Sequence, residues 1–109
     1  MDLTDYQRAS RATAVYPAAG ENLVYPALGL CGEAGEVAEK VKKLLRDDGG
    51  VLTDDRREAL AAELGDVLWY VAQVATEARL DLGDIAAANL AKLRSRQERQ
   101  MLHGSGDRR

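Results

Sequence analysis

Apolar residues return every three to four positions through most of the chain, and no stretch alternates as a strand would. At about 100° per residue, Leu30, Ala34, Val37, Val41 and Leu44 fall on one stripe. Leu60, Leu64, Val67, Leu68, Val71 and Ala75 form a second, with Trp69 on the opposite side, so the helix carrying them is covered from more than one direction. Breaks in the pattern give four helices, over about residues 4–16, 25–46, 54–79 and 83–100. Thr4 can cap the first, and PAAGEN interrupts the chain after it. Pro26 is tolerated in the first turn of the second. DDGG is a turn signal, Thr53 or Asp54 caps the third helix, and LDLGD is a short connection to the fourth. The tight turn at Gly49 and Gly50 makes the second and third helices antiparallel neighbours. The expected fold is all-α: a four-helix bundle in one domain over 1–100, then a polar C-terminal tail over 101–109 that includes HGSGDRR.

Composition narrows the picture. With 109 residues the chain makes one domain, not two. A domain of this size buries only about two thirds of its unfolded surface, which leaves room for partners to complete the core. Phe is absent, and Ala, Leu, Glu and Arg dominate, favouring helix. Charged residues make up 30% with both signs mixed, and the net charge is −3, which argues against nucleic-acid binding driven by bulk charge. The stretch MDLTDYQRAS is acidic and polar and does not read as a signal peptide; no apolar run is long enough to span a membrane. The single cysteine, Cys31, allows no intrachain disulfide, so a reduced, cytoplasmic protein is expected. Cys31 reads as a small buried residue rather than a nucleophile, because the only histidine, His103, lies in the tail.

The stretch GEAGEVAEK, inside the second helix, carries the chemistry. Glu33 and Glu36 are three apart, with Cβ atoms roughly 5–6 Å from each other on one face. Glu63 and Asp66, in ELGD, repeat the spacing on the third helix. Both pairs lie on the same flank of their stripes, so antiparallel packing can bring four carboxylates together. They would repel one another unless neutralised, and a hard divalent cation does that. An all-oxygen site without histidine suits Mg²⁺ or Mn²⁺, not zinc or a di-iron centre. Gly32, Gly35 and Gly65 flank the acids and either serve close helix packing or let a metal-bound water or phosphate approach. Glu39 lies opposite the stripe and is read as a solvated partner of Lys43; Glu36 can pair with Lys40 in the same register.

GLCGEAGEVAEKVKK followed by ELGDVLWYVAQVA resembles the MazG-like, all-α nucleoside triphosphate pyrophosphohydrolases, whose pattern is ExxE, a spacer and ExxD. Glu33 and Glu36 fill the first pair, Glu63 and Asp66 the second, with YPALGL before and NLAKLRSR after. The resemblance covers about residues 6–96. It implies Mg²⁺-dependent cleavage between the α- and β-phosphates of a ribo- or deoxyribonucleoside triphosphate, giving the monophosphate and pyrophosphate. It also implies a MazG-like bundle completed by dimerisation, as a homodimer or homotetramer, with the site near a subunit interface. Metal can neutralise phosphate charge and activate water near neutral pH. Any of the four acids can be the general base, Glu36 being the one we single out.

Asn89, Lys92 and Arg96 share a face of the fourth helix, and the resemblance places a similar Asn/Lys pair near the nucleotide. Lys40 is read as a phosphate contact or a salt-bridge partner of Glu36. Tyr70, four beyond Asp66, is placed to meet a ligand acid or the nucleotide, or simply to pack. Trp69 reads as core or interface. Arg8, Arg11 and the tail add positive charge that could close over phosphate. Two other readings compete. One is phosphoribosyl-ATP pyrophosphohydrolase, whose second motif usually carries a histidine soon after the acids, absent from ELGDVLWYVAQ. The other is a non-catalytic helical module for dimerisation or partner binding, which would not need four acids on matching flanks.

Overall fold

Asp2 opens the first helix in the computed structural model, which describes residues 1–99. Its carboxylate accepts the Asp5 N–H at 2.7 Å while Asp5 accepts from the Asp2 N–H, a capping box over α1 (Leu3–Ser10). Thr4, expected as the cap, instead donates to Asp81 at 2.9 Å. The helix also ends well before Tyr16. Ser10 Oγ donates to the Gln7 carbonyl and Thr13 Oγ1 to the Ser10 carbonyl, competing for acceptors that a continuing α-helix would use. The chain tightens there into a 3-10 turn over Arg11–Thr13.

The second helix, α2 (Val24–Asp47), starts where the Asn22 side chain accepts the Tyr25 N–H at 3.0 Å, with Pro26 buried in its first turn. Thr53 caps α3 (Asp54–Glu77) as the sequence predicts, accepting the Arg56 N–H. That helix stops just before the expected Arg79. Arg79 takes φ +61° and the Leu80 N–H reaches back to the Ala75 carbonyl at 2.8 Å. Glycine usually fills such a closing position, and a left-handed residue with a side chain costs about 1–2 kcal/mol. Asp81 caps α4 (Leu82–Glu98) by accepting the Asp84 N–H at 2.9 Å. The expected end of the fourth helix at Gln100 and the tail lie outside the described residues.

Three pairings fix the antiparallel register of α2 and α3: Gly29 against Tyr70, Lys40 with Glu63, and Asp48 with Arg56. α1 lies across α3 and also packs on α4. The Gln7 amide joins the three, donating to Thr76 Oγ1 (3.0 Å) and the Leu80 carbonyl (2.9 Å) and accepting the Leu82 N–H (2.7 Å). The Gln73 side chain is fully buried; it donates to Ser10 Oγ at 2.8 Å and accepts from Arg11 at 3.0 Å. Glu77, its side chain 1% exposed, accepts from the Tyr16 hydroxyl (2.8 Å) and the Gly20 N–H (2.7 Å), with Arg11 at 3.7 Å.

The described residues contain four α-helices and no strand. α3 is covered by both α2 and α1, as its apolar residues predict. The stripes themselves are only partly covered: Ala75 is buried, but Val41 is 42% and Leu64 51% exposed. The radius of gyration is 16.6 Å, against about 13 Å for a compact domain of this length. One chain makes an open slab, and its few buried apolar side chains include Ala72 and Ala75 on α3, Leu82 at the start of α4, Pro26 in the first turn of α2 and Tyr16 between the 3-10 turn and α2.

Candidate metal centre

The α2–α3 register brings Glu33 beside Glu63 and Asp66. One carboxylate oxygen from each lies within 4.8 Å of the other two. Glu33 and Glu63 are half-buried and Asp66 is exposed. Loss of solvent, then the charges of Asp66, Glu63 and Glu36 and a hydrogen bond with Glu63, raises the Glu33 pKa from its ordinary value. Three crowded carboxylates from two helices, all oxygen donors, fit a hard divalent cation, whose charge would relieve that repulsion.

Glu36 lies one turn further along α2, exposed and outside this group of three, although its charge is felt at Glu33. Lys40 pairs with Glu63 on the facing helix at 3.7 Å rather than with Glu36. Glu39 pairs with Lys42 at 3.2 Å, not Lys43, three residues on rather than four. Tyr70 lies over Gly29, and its pKa is raised by burial and by the charges of Tyr25, Glu33 and Asp66. Asn89 is exposed and Lys92 half-buried; with Ile85 and Ala88 they line a shallow depression on α4, whose main packing partner is α1. Arg96 is buried on the same helix, at 3% exposed.

Two expectations about small residues change. Cys31 is exposed, not buried, because no described residue covers its face of α2. A Cβ at Gly32, Gly35 or Gly65 would meet no atom within 4 Å, so none of the three serves packing between these helices. Close packing is found instead at Gly29, whose missing side chain makes room for the Tyr70 ring.

An aromatic row also escaped the sequence reading. Tyr25 stacks on Tyr16 (5.1 Å between centroids, 12° between planes). Tyr16 meets Trp69 edge to face at 6.5 Å, and Trp69 meets Tyr70 at 5.0 Å. The Trp69 indole donates to Thr13 Oγ1 at 2.9 Å, tying it to the 3-10 turn rather than leaving it in an apolar core. The chain has four tyrosines and one tryptophan, and all but Tyr6 join this row. Such scarcity and clustering are the signal that could have pointed to it.

No described helix is long and apolar enough to cross a membrane. Comparison with known proteins agrees with the motifs. Gene 37 protein of Mycobacterium phage L5 is 51% identical over an alignment of 114 positions that covers all of both chains. No solved structure matches the chain. The family model of the MazG nucleotide pyrophosphohydrolase domain matches residues 26–101. That span holds both acidic pairs and most of the chain, and the protein belongs to the MazG nucleotide pyrophosphohydrolase family.

Proposed function

We propose that the protein is a Mg²⁺-dependent nucleoside triphosphate pyrophosphohydrolase, with Mn²⁺ as a substitute, that releases a nucleoside monophosphate and pyrophosphate. The observation that carries this reading is the meeting of Glu33, Glu63 and Asp66 on the α2–α3 hairpin of a chain from this family. Those three carboxylates would hold the cation. When bound, the cation supplies positive charge that offsets the phosphates and favours attack by water. Glu36, outside the trio but with its charge felt at Glu33, would take the proton of the attacking water as the bond between the α-phosphate and the pyrophosphate breaks. Lys40 and Tyr70 border the acids and would contact substrate oxygens or the nucleoside.

The reading includes a homodimer or homotetramer. Leu28, Cys31, Gly32 and Gly35 on α2, with Leu64, Gly65 and Leu68 on α3, form an exposed face of apolar and small residues that suits a second copy. In such an assembly Asn89 and Lys92 would reach the triphosphate across the interface, while Arg96, buried in one chain, would contribute only if uncovered. A reducing cytoplasm suits the exposed Cys31 thiol.

The test is incubation with ribo- and deoxyribonucleoside triphosphates, with Mg²⁺ or with chelator, and resolution of the products. Metal-dependent monophosphate and pyrophosphate are expected, with turnover falling at least ~100-fold in Glu36→Gln. Glu63→Gln is expected to weaken metal binding as well as turnover. Release of diphosphate and orthophosphate would reject the assigned bond.

A further inference from the structure

A cleft of about 470 Å³ opens where α1 meets the α3–α4 elbow, lined in part by Arg8, Arg11 and Arg79. Its position at Thr76 is ten residues along α3 from Asp66, or about 15 Å of helix, so it is separate from the acidic centre. The three cations differ in what they already hold. Arg11 turns inward to Tyr16, Gln73 and Glu77. Arg8 is 77% exposed; among the described residues it pairs with Asp5 at 3.8 Å, a solvent-screened contact, and its charge is also felt at Asp81. The Arg79 side chain forms neither an ion pair nor a hydrogen bond among the described residues, yet it occupies a left-handed position that glycine would fill without strain. Asp81 also lines the cleft, but its carboxylate is occupied by the Asp84 N–H and the Thr4 hydroxyl.

We propose that this cleft binds the phosphate group of a small anionic ligand, with Arg79 and Arg8 as its guanidinium contacts. Guanidinium forks match phosphate oxygens in shape and charge, and two at one cleft can hold a phosphate that neither holds alone. The strained backbone at Arg79 then has a reason: a side chain is needed where the turn itself calls for none.

The experiment is calorimetric titration of the full chain in EDTA, which keeps divalent cations from the acids, with inorganic pyrophosphate and separately with a nucleoside monophosphate. At least one should bind, at least tenfold more weakly in Arg79→Gly and in Arg8→Gln, and more weakly at high salt. Pyrophosphate binding alone would identify a diphosphate site; binding of both would identify the single phosphate as the recognised group. Arg79→Gly suits the left-handed turn, so a melting temperature at or above wild type will show that any loss of binding is not a loss of fold. No binding to wild type, or equal binding to wild type and Arg79→Gly, would overturn the proposal while leaving the proposed hydrolase reading intact.

Discussion

Gly29 lacks a side chain where the Tyr70 ring needs the space, and Tyr70 in turn feels the charges of Glu33 and Asp66. A single methyl group at this position therefore acts on Tyr70 first. Gly29→Ala should destabilise the protein by about 1–3 kcal/mol through overpacking, despite the better helix propensity of alanine. Gly32→Ala, in open space three residues on, is the control: thermal melts of dilute protein should show it as stable as wild type or more so. Equal melting of the two variants would mean that Tyr70 swings aside freely.

Among the elements, α3 does most of the joining. Its last residue, Glu77, holds Gly20 and Tyr16 and so pins the loop between the 3-10 turn and α2. Burial alone would raise the pKa of this carboxyl, but the Gly20 N–H, the Tyr16 hydroxyl and Arg11 outweigh it and leave it below the ordinary value of 4.5. A depressed folded-state pKa gives stability that is present above about pH 4.5 and is lost as pH falls through the folded value. Glu77→Gln should cost about 1.5–3 kcal/mol at pH 7, with the gap to wild type narrowing as pH falls through that lowered value. Urea unfolding across that range measures both, and a gap independent of pH would contradict the assignment.

The helices and their hairpin were legible in the sequence because periodicity, a capping Thr53 and the DDGG turn are local signals. The two acidic pairs were legible for the same reason, and three of their four carboxylates do meet. What escaped depends on contacts between segments distant in the chain. Lys40 found Glu63 across the hairpin, Thr4 found Asp81, and the tight glycine proved to be Gly29 rather than those beside the acids. No spacing rule within one helix predicts which residue the facing helix will present.

At the scale of the whole molecule, the open slab exposes apolar surface along both long helices. Leu64 is 51% exposed in one chain and would be covered in the proposed dimer. Leu64→Glu should leave the helices intact by circular dichroism and weaken self-association by about a hundredfold or more, since buried like charges cost several kcal/mol. Sedimentation analysis would report the shift, and unchanged sedimentation would remove this face from the assembly. The lone tryptophan gives the same molecule an optical gauge. Trp69 is tied to the 3-10 turn by its indole N–H and touches Tyr70, which feels the charges of Glu33 and Asp66. Its emission therefore comes from a single place, against Tyr70, so rearrangement there can be followed by intrinsic fluorescence without any label.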